Sequence, residues 1–557
     1  MSRFLSPFRI AFRFTAGLAA LAGGLAAPAL AGTWYVSPTG NDANIGSATQ
    51  PLATIGRADQ MAQPGDVVHV ANGIYADFPV PARSGGSAGR ITFIGNLADP
   101  QKVVVTPYGT MSRSDVTLAG FDLRGGFRLN GDRDSIAWCA AEGGKSEISA
   151  SNDCVMAHCI LHAERFWMVG SETDTTVKSL RDSLRDCVFV LSPAGAGGHT
   201  VRFQMLEQAW VERCRFQLDI AAAAIDASAT KYFFVKHCRF VDCSWDITAR
   251  CTSGCDEQGW FVLRDVTQHN TFTRDSITLR GPGSMQLFAS ASGSYPGSVI
   301  HNVWDHCVVR QIGPSAYGAA MMYQDQAQSD TLIGCLLVGQ QAGLGFNSGV
   351  HEVLVDHCTI AGFGPAQGSL NMNNNASWTS ANVQNSIVCT VAGSGTGAAP
   401  LVASLASAQG HLAADHNLYY GPVSAGAAIS ITGLGSSGVG SGTPWCSQVG
   451  ADCHSQFAAP VFENTSSVLA FDGMPSANSP AIGASSDGSD LGAVPYDDTI
   501  RPAPVRDLRV QSSATPATVS PLGGKGTALP HGAQPGTSPT AAATGRHARG
   551  ATPAASP

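Results

Sequence analysis

The chain has 557 residues, of which 44% are hydrophobic and 13% charged, a composition typical of a folded globular protein. The net charge is −8; residues 1–31 contribute +3 and residues 501–557 contribute +5, which leaves −16 for residues 32–500. A body this acidic argues against nucleic acid as a partner, and it disfavours a polyanion unless a cation or a local Arg cluster mediates the contact.

Residues 1–31 have the pattern of a signal peptide. Arg3, Arg9 and Arg13 precede an apolar run from Ala16 to Leu30, and the segment ends in an A-x-A cleavage pattern at Ala31. The alternative is a membrane anchor, but the run is short and weakly apolar for a span. We therefore expect a secreted or periplasmic protein with no stable membrane insertion after cleavage.

The mature N-terminus carries a turn followed by a strand. Pro64-Gly65-Asp66 is a turn signal, and Val67, Val68 and Val70 give the strand.

A short pattern then recurs along the chain: a polar residue, then Cys, Asn or Ser, then any residue, then a large apolar one. Its second position is occupied by Cys159, Cys187, Cys214, Cys238, Asn270, Cys307, Cys335, Cys358, Ser386 and Asn417. The intervals of 23 to 37 residues fit coils of a parallel β-helix, each with about three short strands. Leucine-rich and propeller repeats are disfavoured because their signatures are missing. We expect the Cys column to be an inward packing ladder and the His residues that often precede it to be structural.

The 15 Cys also include two close pairs in loop-like stretches. Cys251 with Cys255 and Cys446 with Cys453 are the disulfide candidates.

The C-terminal part contains a closing stretch and then a change in composition. Ser479-Pro480-Ala481-Ile482-Gly483 is followed by Asp490-Leu491-Gly492-Ala493. Residues 501–557 are rich in Pro, Ala, Ser and Gly, which predicts a disordered tail.

The opening and closing stretches resemble those of secreted right-handed parallel β-helix proteins of the pectate-lyase-like superfamily. The resemblance implies an all-β fold over residues 32–500, a single-stranded right-handed parallel β-helix with a short N-terminal capping helix. Residues 51–62 are the segment that the resemblance places as this helix, which covers the end of the fold. It also implies a polysaccharide as partner. It does not choose among lyases, epimerases, hydrolases and non-catalytic binders, and Val303-Trp304-Asp305-His306 matches a pectate-lyase stretch only in part.

A candidate site follows from position within the repeat. Twelve residues before the repeated slots lie Thr175, Arg202, Asp226, Gln258, Tyr295, Tyr323, Phe346 and Asn374. If Val201, Phe203 and Met322 face inward, strand alternation sends Arg202, Asp226 and Tyr323 outward. Substrate contacts are predicted for Asp226, Asn374, Tyr295 and Phe346.

The favoured chemistry is β-elimination on a uronate-containing glycan. His199 is predicted as base, Arg202 as carboxylate neutraliser with Arg280 as a second candidate, and Tyr323 as acid. A hydrolase that uses Asp226 with Asp246 and a non-catalytic glycan-binding or surface-structural β-helix remain open. The sequence identifies no cofactor; calcium held by Asp is the candidate.

Overall fold

The structure, a computed structural model, describes residues 31–493 apart from 172–175, 193–199, 221–229, 251–260, 265, 282–286, 291–298, 314–318, 325, 348, 365–367, 373–379 and 392–398. Its strands stack as three long sheets in which successive coils pair in parallel, so the chain forms a right-handed parallel β-helix, as predicted. Among the described strands, one antiparallel pair, Ile429–Thr432 with Gly435–Ser437, lies near the C-terminal end.

Most coils contribute a strand to each sheet in turn, and some contribute two short strands to the third sheet. The first sheet consists of Thr33–Val36, Val67–Val70, Ile91–Ile94, Val116–Ala119, Ser135–Ala137, Val155–Ala157, Ser183–Arg185, Trp210–Glu212, Arg239–Val241, Thr271–Thr273, Val303–Asp305, Thr331–Ile333, Val353–Asp356, Ala381–Gln384 and Leu412–Asp415. The second sheet consists of Gly73–Tyr75, Val103–Val105, Asp122–Leu123, Ala140–Glu142, Ile160–Ala163, Val188–Leu191, Arg215–Ile220, Ser244–Ala249, Ser276–Arg280, Val308–Ile312, Leu336–Gly339, Thr359–Gly362, Ile387–Thr390, Leu418–Tyr420 and Gln456–Phe457. The third sheet consists of Gly109–Met111, Phe127–Leu129, Lys145–Ser149, Arg165–Val169, Ser179–Leu180, Val201–Glu207, Thr230–Lys236, Phe261–Arg264, Thr267–Gln268, Leu287–Ser290, Val299–Ile300, Ala319–Gln324, Ala342–Phe346, Leu370–Met372, Leu401–Ser404, Ile429–Thr432 and Gly435–Ser437.

The helices are short: Ile55–Met61, Leu405–Ala408 and Pro444–Val449, with 3₁₀ turns at Pro100–Lys102 and Ala425–Ala427. The first begins after Thr54, whose hydroxyl accepts a hydrogen bond from the Arg57 amide (3.1 Å). It lies where the capping helix is predicted.

The Pro64-Gly65-Asp66 turn fastens the N-terminal end. Gly65 has φ 96°, a conformation that disfavours other residues. The buried Asp66 carboxylate accepts from the Gly32 amide (2.6 Å), the Trp34 indole (2.8 Å) and the Gln63 amide (2.9 Å). One side chain thus joins the first strand to the second coil.

Inward-facing side chains, many of them small or polar, line two corners of the β-helix, whereas the sequence pattern predicts a single such ladder. The corner between the first and second sheets holds Cys139, Cys159, Cys187, Cys214, Cys243, Asp275, Cys307, Cys335, Cys358, Ser386 and Asn417. The corner between the third and first sheets holds Asp134, Cys154, Asp182, Ala209, Cys238, Asn270, Asn302, Asp330 and Val353. The assignment of Cys238 and Asn270 to the same column as Cys214 is therefore wrong, although all three are buried.

The residue before each ladder position takes a left-handed conformation and points outward. His237, His269 and His301 have φ between 53° and 58° and stack with ring centroids 5.0 and 4.9 Å apart. Positive φ is tolerated best by Gly, Asn, Asp and His, which explains the recurrent polar residue before the slot. These His are corner residues.

Aromatic rings also stack from coil to coil inside the helix. Phe216 lies between Phe189 (ring centroids 4.5 Å apart) and Trp245 (3.8 Å), with nearly parallel planes. The strand register imposes this stacking, because the three residues are direct partners in neighbouring strands.

The last described segment covers part of the second sheet. Its Val468, Phe471 and Leu491 pack against Leu336 and Ala361 on the outer face of that sheet. The closing stretch predicted from the sequence belongs to this cover. Residues 1–30 and 494–557 lie outside the described residues, so the signal peptide and the tail remain predictions.

Candidate functional site

The outer face of the third sheet carries a column of polar and aromatic residues. Register partners in successive coils are Arg128, Glu147, Trp167 and Arg202. They point outward because their strand neighbours, including Phe166, lie in the core. Side chains far apart in sequence are thus about 4.8 Å from their neighbours along the axis.

Glu147 is a buried carboxylate held by two cations. Its side chain is 5% exposed and lies 3.2 Å from Arg128 Nε and 2.7 Å from Lys145 Nζ. Arg128 also donates a hydrogen bond to Ser149 Oγ (2.8 Å). A buried carboxylate of this kind requires such partners, since desolvation alone would cost several kcal/mol.

Trp167 lies between cations from the coils on either side. Lys145 Nζ is 4.2 Å from the ring centroid, and the Arg202 guanidinium carbon is 5.1 Å from it. Both distances are within the range of cation–π attraction. We call Arg128, Lys145, Glu147, Trp167 and Arg202 the Trp167 cluster; with three cations and one carboxylate it carries a net charge of +2.

Tyr108 lies beside this cluster and is 45% exposed. Partial burial raises the pKa of its phenol to about 12, and the nearby Glu147 charge acts in the same direction. The phenol is therefore protonated at neutral pH and offers a ring and a hydroxyl to a ligand on this face.

Tyr323 and Phe346 do not lie on the surface. Both are buried in the core and stack on one another, with ring centroids 5.9 Å apart. Through the paired strands, Tyr323 aligns with Phe203, which faces the core, and not with Arg202. The prediction of Tyr323 and Phe346 as surface residues is therefore wrong. Its neighbour Met322 occupies the outward position instead.

Arg280 lies on a different sheet from Arg202. It belongs to the second sheet and forms an ion pair with Asp246. The two Arg residues are therefore not brought together, and the prediction of Arg280 as a second neutraliser beside Arg202 is wrong. The other predicted site residues lie outside the described residues: His199, Asp226, Tyr295 and Asn374.

A shallow pocket of about 190 Å³ lies on the outer face of the second sheet. Asp219, Asp246, Thr248 and Arg250 line it. Arg250 binds Asp219 at 2.6 Å, and Asp246 is paired with Arg280. Both carboxylates are thus already matched by guanidinium groups, which favours their role in coil-to-coil pairing.

Cysteine placement is partly as predicted. Cys446 and Cys453 form a disulfide with an S–S distance of 2.12 Å. Cys251 and Cys255 lie outside the described residues. The remaining Cys in the described ranges are buried thiols that pack in the core or under the C-terminal cover.

One group of side chains among the described residues is spaced to share a metal ion: Asp415, His416 and His454. It lies nine strands along the first sheet from the coil of Trp167, about 43 Å away. It therefore does not belong to the Trp167 cluster, and calcium at the predicted site remains a prediction.

A family described as a protein of unknown function, DUF1565, matches residues 38–80. No curated protein matches the sequence. Among the described residues, no helix is long and apolar enough to cross a membrane.

Several solved structures are similar at low identity. A GH136 lacto-N-biosidase from Eubacterium ramulus is 10% identical with a TM-score of 0.30; the match covers 58% of this chain and 65% of that one, just under two thirds. A PL6 family polysaccharide lyase from Pseudopedobacter saltans is 11% identical, with coverage of 60% and 82% and a TM-score of 0.35. A pectate lyase is 12% identical, with coverage of 83% and 96% and a TM-score of 0.30. At this level of similarity they carry no information on the reaction of this chain.

Proposed function

We propose that this protein acts on an acidic, uronate-containing polysaccharide that lies along the outer face of the third sheet, and that it cleaves the chain by β-elimination. The observation that carries the proposal is the Trp167 cluster, a net positive and aromatic surface in a body whose charge is −16 over residues 32–500. Such a local reversal of charge focuses an anionic ligand onto one face. The signal-like segment at residues 1–31 supports export to where such glycans occur.

Arg202 is the residue we assign to the uronate carboxylate. Its planar fork suits a carboxylate, and its contact with Trp167 limits the conformations it must lose on binding. The exposed ring of Tyr108 extends the same face by one more contact. Because the cluster runs along the axis, an extended chain would meet these groups one after another.

In the proposed reaction a base removes the proton at C5, the C4–O4 bond breaks, and a C4–C5 double bond forms as the leaving oxygen takes a proton. Arg202 would stabilise the negative charge that develops on the carboxylate. His199, three residues before Arg202, stays the predicted base. Tyr323 is too deeply buried to supply the proton.

A binding module without catalysis is the second candidate. Arg128 and Arg202 offer planar guanidinium donors, which can bind an anion without any proton transfer. This observation favours a clamp for an acidic glycan if no base acts beside it.

The test uses purified mature protein and a panel of uronate glycans, with ultraviolet absorbance of the unsaturated product as readout. Arg202→Ala and Trp167→Ala should each lower the rate at least ten-fold, whereas Arg239→Ala, an exposed Arg on the first sheet, should not. Binding of the same glycans without new absorbance would support the module instead. Full activity in Arg202→Ala would overturn the site assignment.

A further inference from the structure

Three potential metal ligands meet at the C-terminal end of the β-helix, on the corner between the first and second sheets. Asp415 ends its strand, His416 follows it, and His454 comes from the segment after the last helix. Asp415 Oδ2 lies 2.6 Å from His454 Nδ1 and 3.5 Å from His416 Nδ1. The two rings stack with centroids 5.1 Å apart.

The donor atoms of the three groups all lie within 4.8 Å of one another, close enough to share one ion. Zinc binds imidazole nitrogen and carboxylate oxygen at about 2.0–2.2 Å, so donors around a tetrahedral ion lie about 3.4 Å apart. The 3.5 Å separation of Asp415 Oδ2 and His416 Nδ1 is close to that value. The 2.6 Å contact of Asp415 Oδ2 with His454 Nδ1 is a hydrogen bond, so a bound ion would replace it and move these two atoms apart by about 0.8 Å.

The carboxylate is already oriented for this role. Asp415 Oδ1 accepts a hydrogen bond from the His454 backbone amide (2.7 Å), which fixes the plane of the group and turns Oδ2 towards the two rings. Hydrogen bonds of this kind commonly orient ligands in metal sites. The His454 side chain is 69% exposed, so an ion can enter and keep a water ligand.

We propose that Asp415, His416 and His454 form a zinc site that ties the C-terminal segment to the last full coil. Two imidazoles and one carboxylate suit zinc and similar transition metals, whereas calcium and magnesium prefer oxygen ligands alone. His454 is next to Cys453, whose disulfide with Cys446 restricts the same segment. The site is independent of the glycan proposal.

The experiment is zinc titration of the full mature chain, stripped of metal, by calorimetry and by thermal unfolding with and without Zn²⁺. We expect one saturable site whose occupation raises the melting temperature. His416→Ala and His454→Ala should each weaken binding at least ten-fold and abolish the melting shift, and Asp415→Asn should weaken it.

His162→Ala is the matched control, because His162 is an exposed His of the second sheet outside this group. It should bind zinc as the wild type does. The absence of saturable binding to the wild type, or retention of wild-type affinity in His454→Ala, would overturn the proposal. Far-ultraviolet circular dichroism checks that each variant is folded, and an unchanged rate on glycans separates this result from the fate of the proposed function.

Discussion

Asp330 offers a quantitative test of the inward ladder. Its carboxylate is fully buried and accepts hydrogen bonds from the Asn302 amide (2.8 Å) and side chain (3.2 Å). Burial raises the pKa of Asp330 from 3.8 to about 7, against the effect of these hydrogen bonds. The neighbouring coils carry Asn302 and Asn270 at the same position, each accepting an amide hydrogen bond through its Oδ1. Asp330→Asn should therefore keep the bond without a buried charge.

The sign and the size of the expected stability change follow from the difference in the Asp330 pKa between the folded and the unfolded state. Because the pKa of the folded state is raised, the contribution of Asp330 to stability is fully present below about pH 4 and is lost as the pH rises to about 7. A difference of about three pKa units corresponds to about 4 kcal/mol of unfolding free energy. Asp330→Asn should thus be more stable than the wild type at pH 8 by a few kcal/mol, and the advantage should shrink towards pH 4.

The assay is guanidinium unfolding of wild type and variant at pH 4, 6 and 8. Asp153→Asn is the contrasting control, because the hydrogen bonds that the Asp153 carboxylate accepts from Arg181 lower the pKa of Asp153. That variant should lose stability at pH 8, and by less than about 1 kcal/mol because the pair is half-exposed. If Asp330→Asn is destabilised equally at all three pH values, the reasoning about its burial is refuted.

Three further predictions concern the core and the C-terminal end. Phe216→Ala should cost about 3–5 kcal/mol of unfolding free energy in guanidinium titration, since it removes a ring stacked on Phe189 and Trp245; a loss below about 1 kcal/mol would contradict the packing. Cys453→Ser should lower stability by about 2 kcal/mol by opening the loop to Cys446, and dithiothreitol should have the same effect on the wild type; equal melting in oxidised and reduced protein would count against it. Tyr323→Phe should leave the rate on any glycan substrate unchanged, because its side chain is fully buried; a ten-fold fall would restore it as a reacting group.

The fold could be predicted because its signal is repeated. Each coil must fill the same inward corner, so small side chains such as Cys187 and Cys214 recur at coil spacing. The two ends carry specific stretches as well, and Asp66 shows why one of them is constrained.

The candidate site was predicted less well because sheet faces depend on single-residue register. From the inward Phe203 to its first-sheet strand at Trp210 there are seven residues, whereas from Tyr323 to the equivalent Thr331 there are eight. Counting back twelve residues from the ladder position therefore reaches an outward residue at Arg202 but an inward residue at Tyr323.

The sequence also contains a regular spacing that points to the Trp167 cluster, and the twelve-residue count does not use this spacing. Glu147 and Trp167 each lie eight residues after a ladder cysteine, Cys139 and Cys159 respectively. An alignment of the coils that begins with Cys139 places Glu147 and Trp167 at equivalent positions. The cations on either side of the ring depend on side-chain packing, which spacing alone does not fix.

The way in which the C-terminal end of the β-helix is closed has a consequence for shortened forms of the protein. The buried Asp452 receives hydrogen bonds from the Trp445 indole (3.1 Å), the Tyr419 hydroxyl (3.1 Å) and the Asn417 side chain (3.1 Å), so one carboxylate joins the last coils to the final helix. A chain that stops before Trp445 would present bare strand edges at the terminus of the stack. Such fragments should associate end to end into filaments.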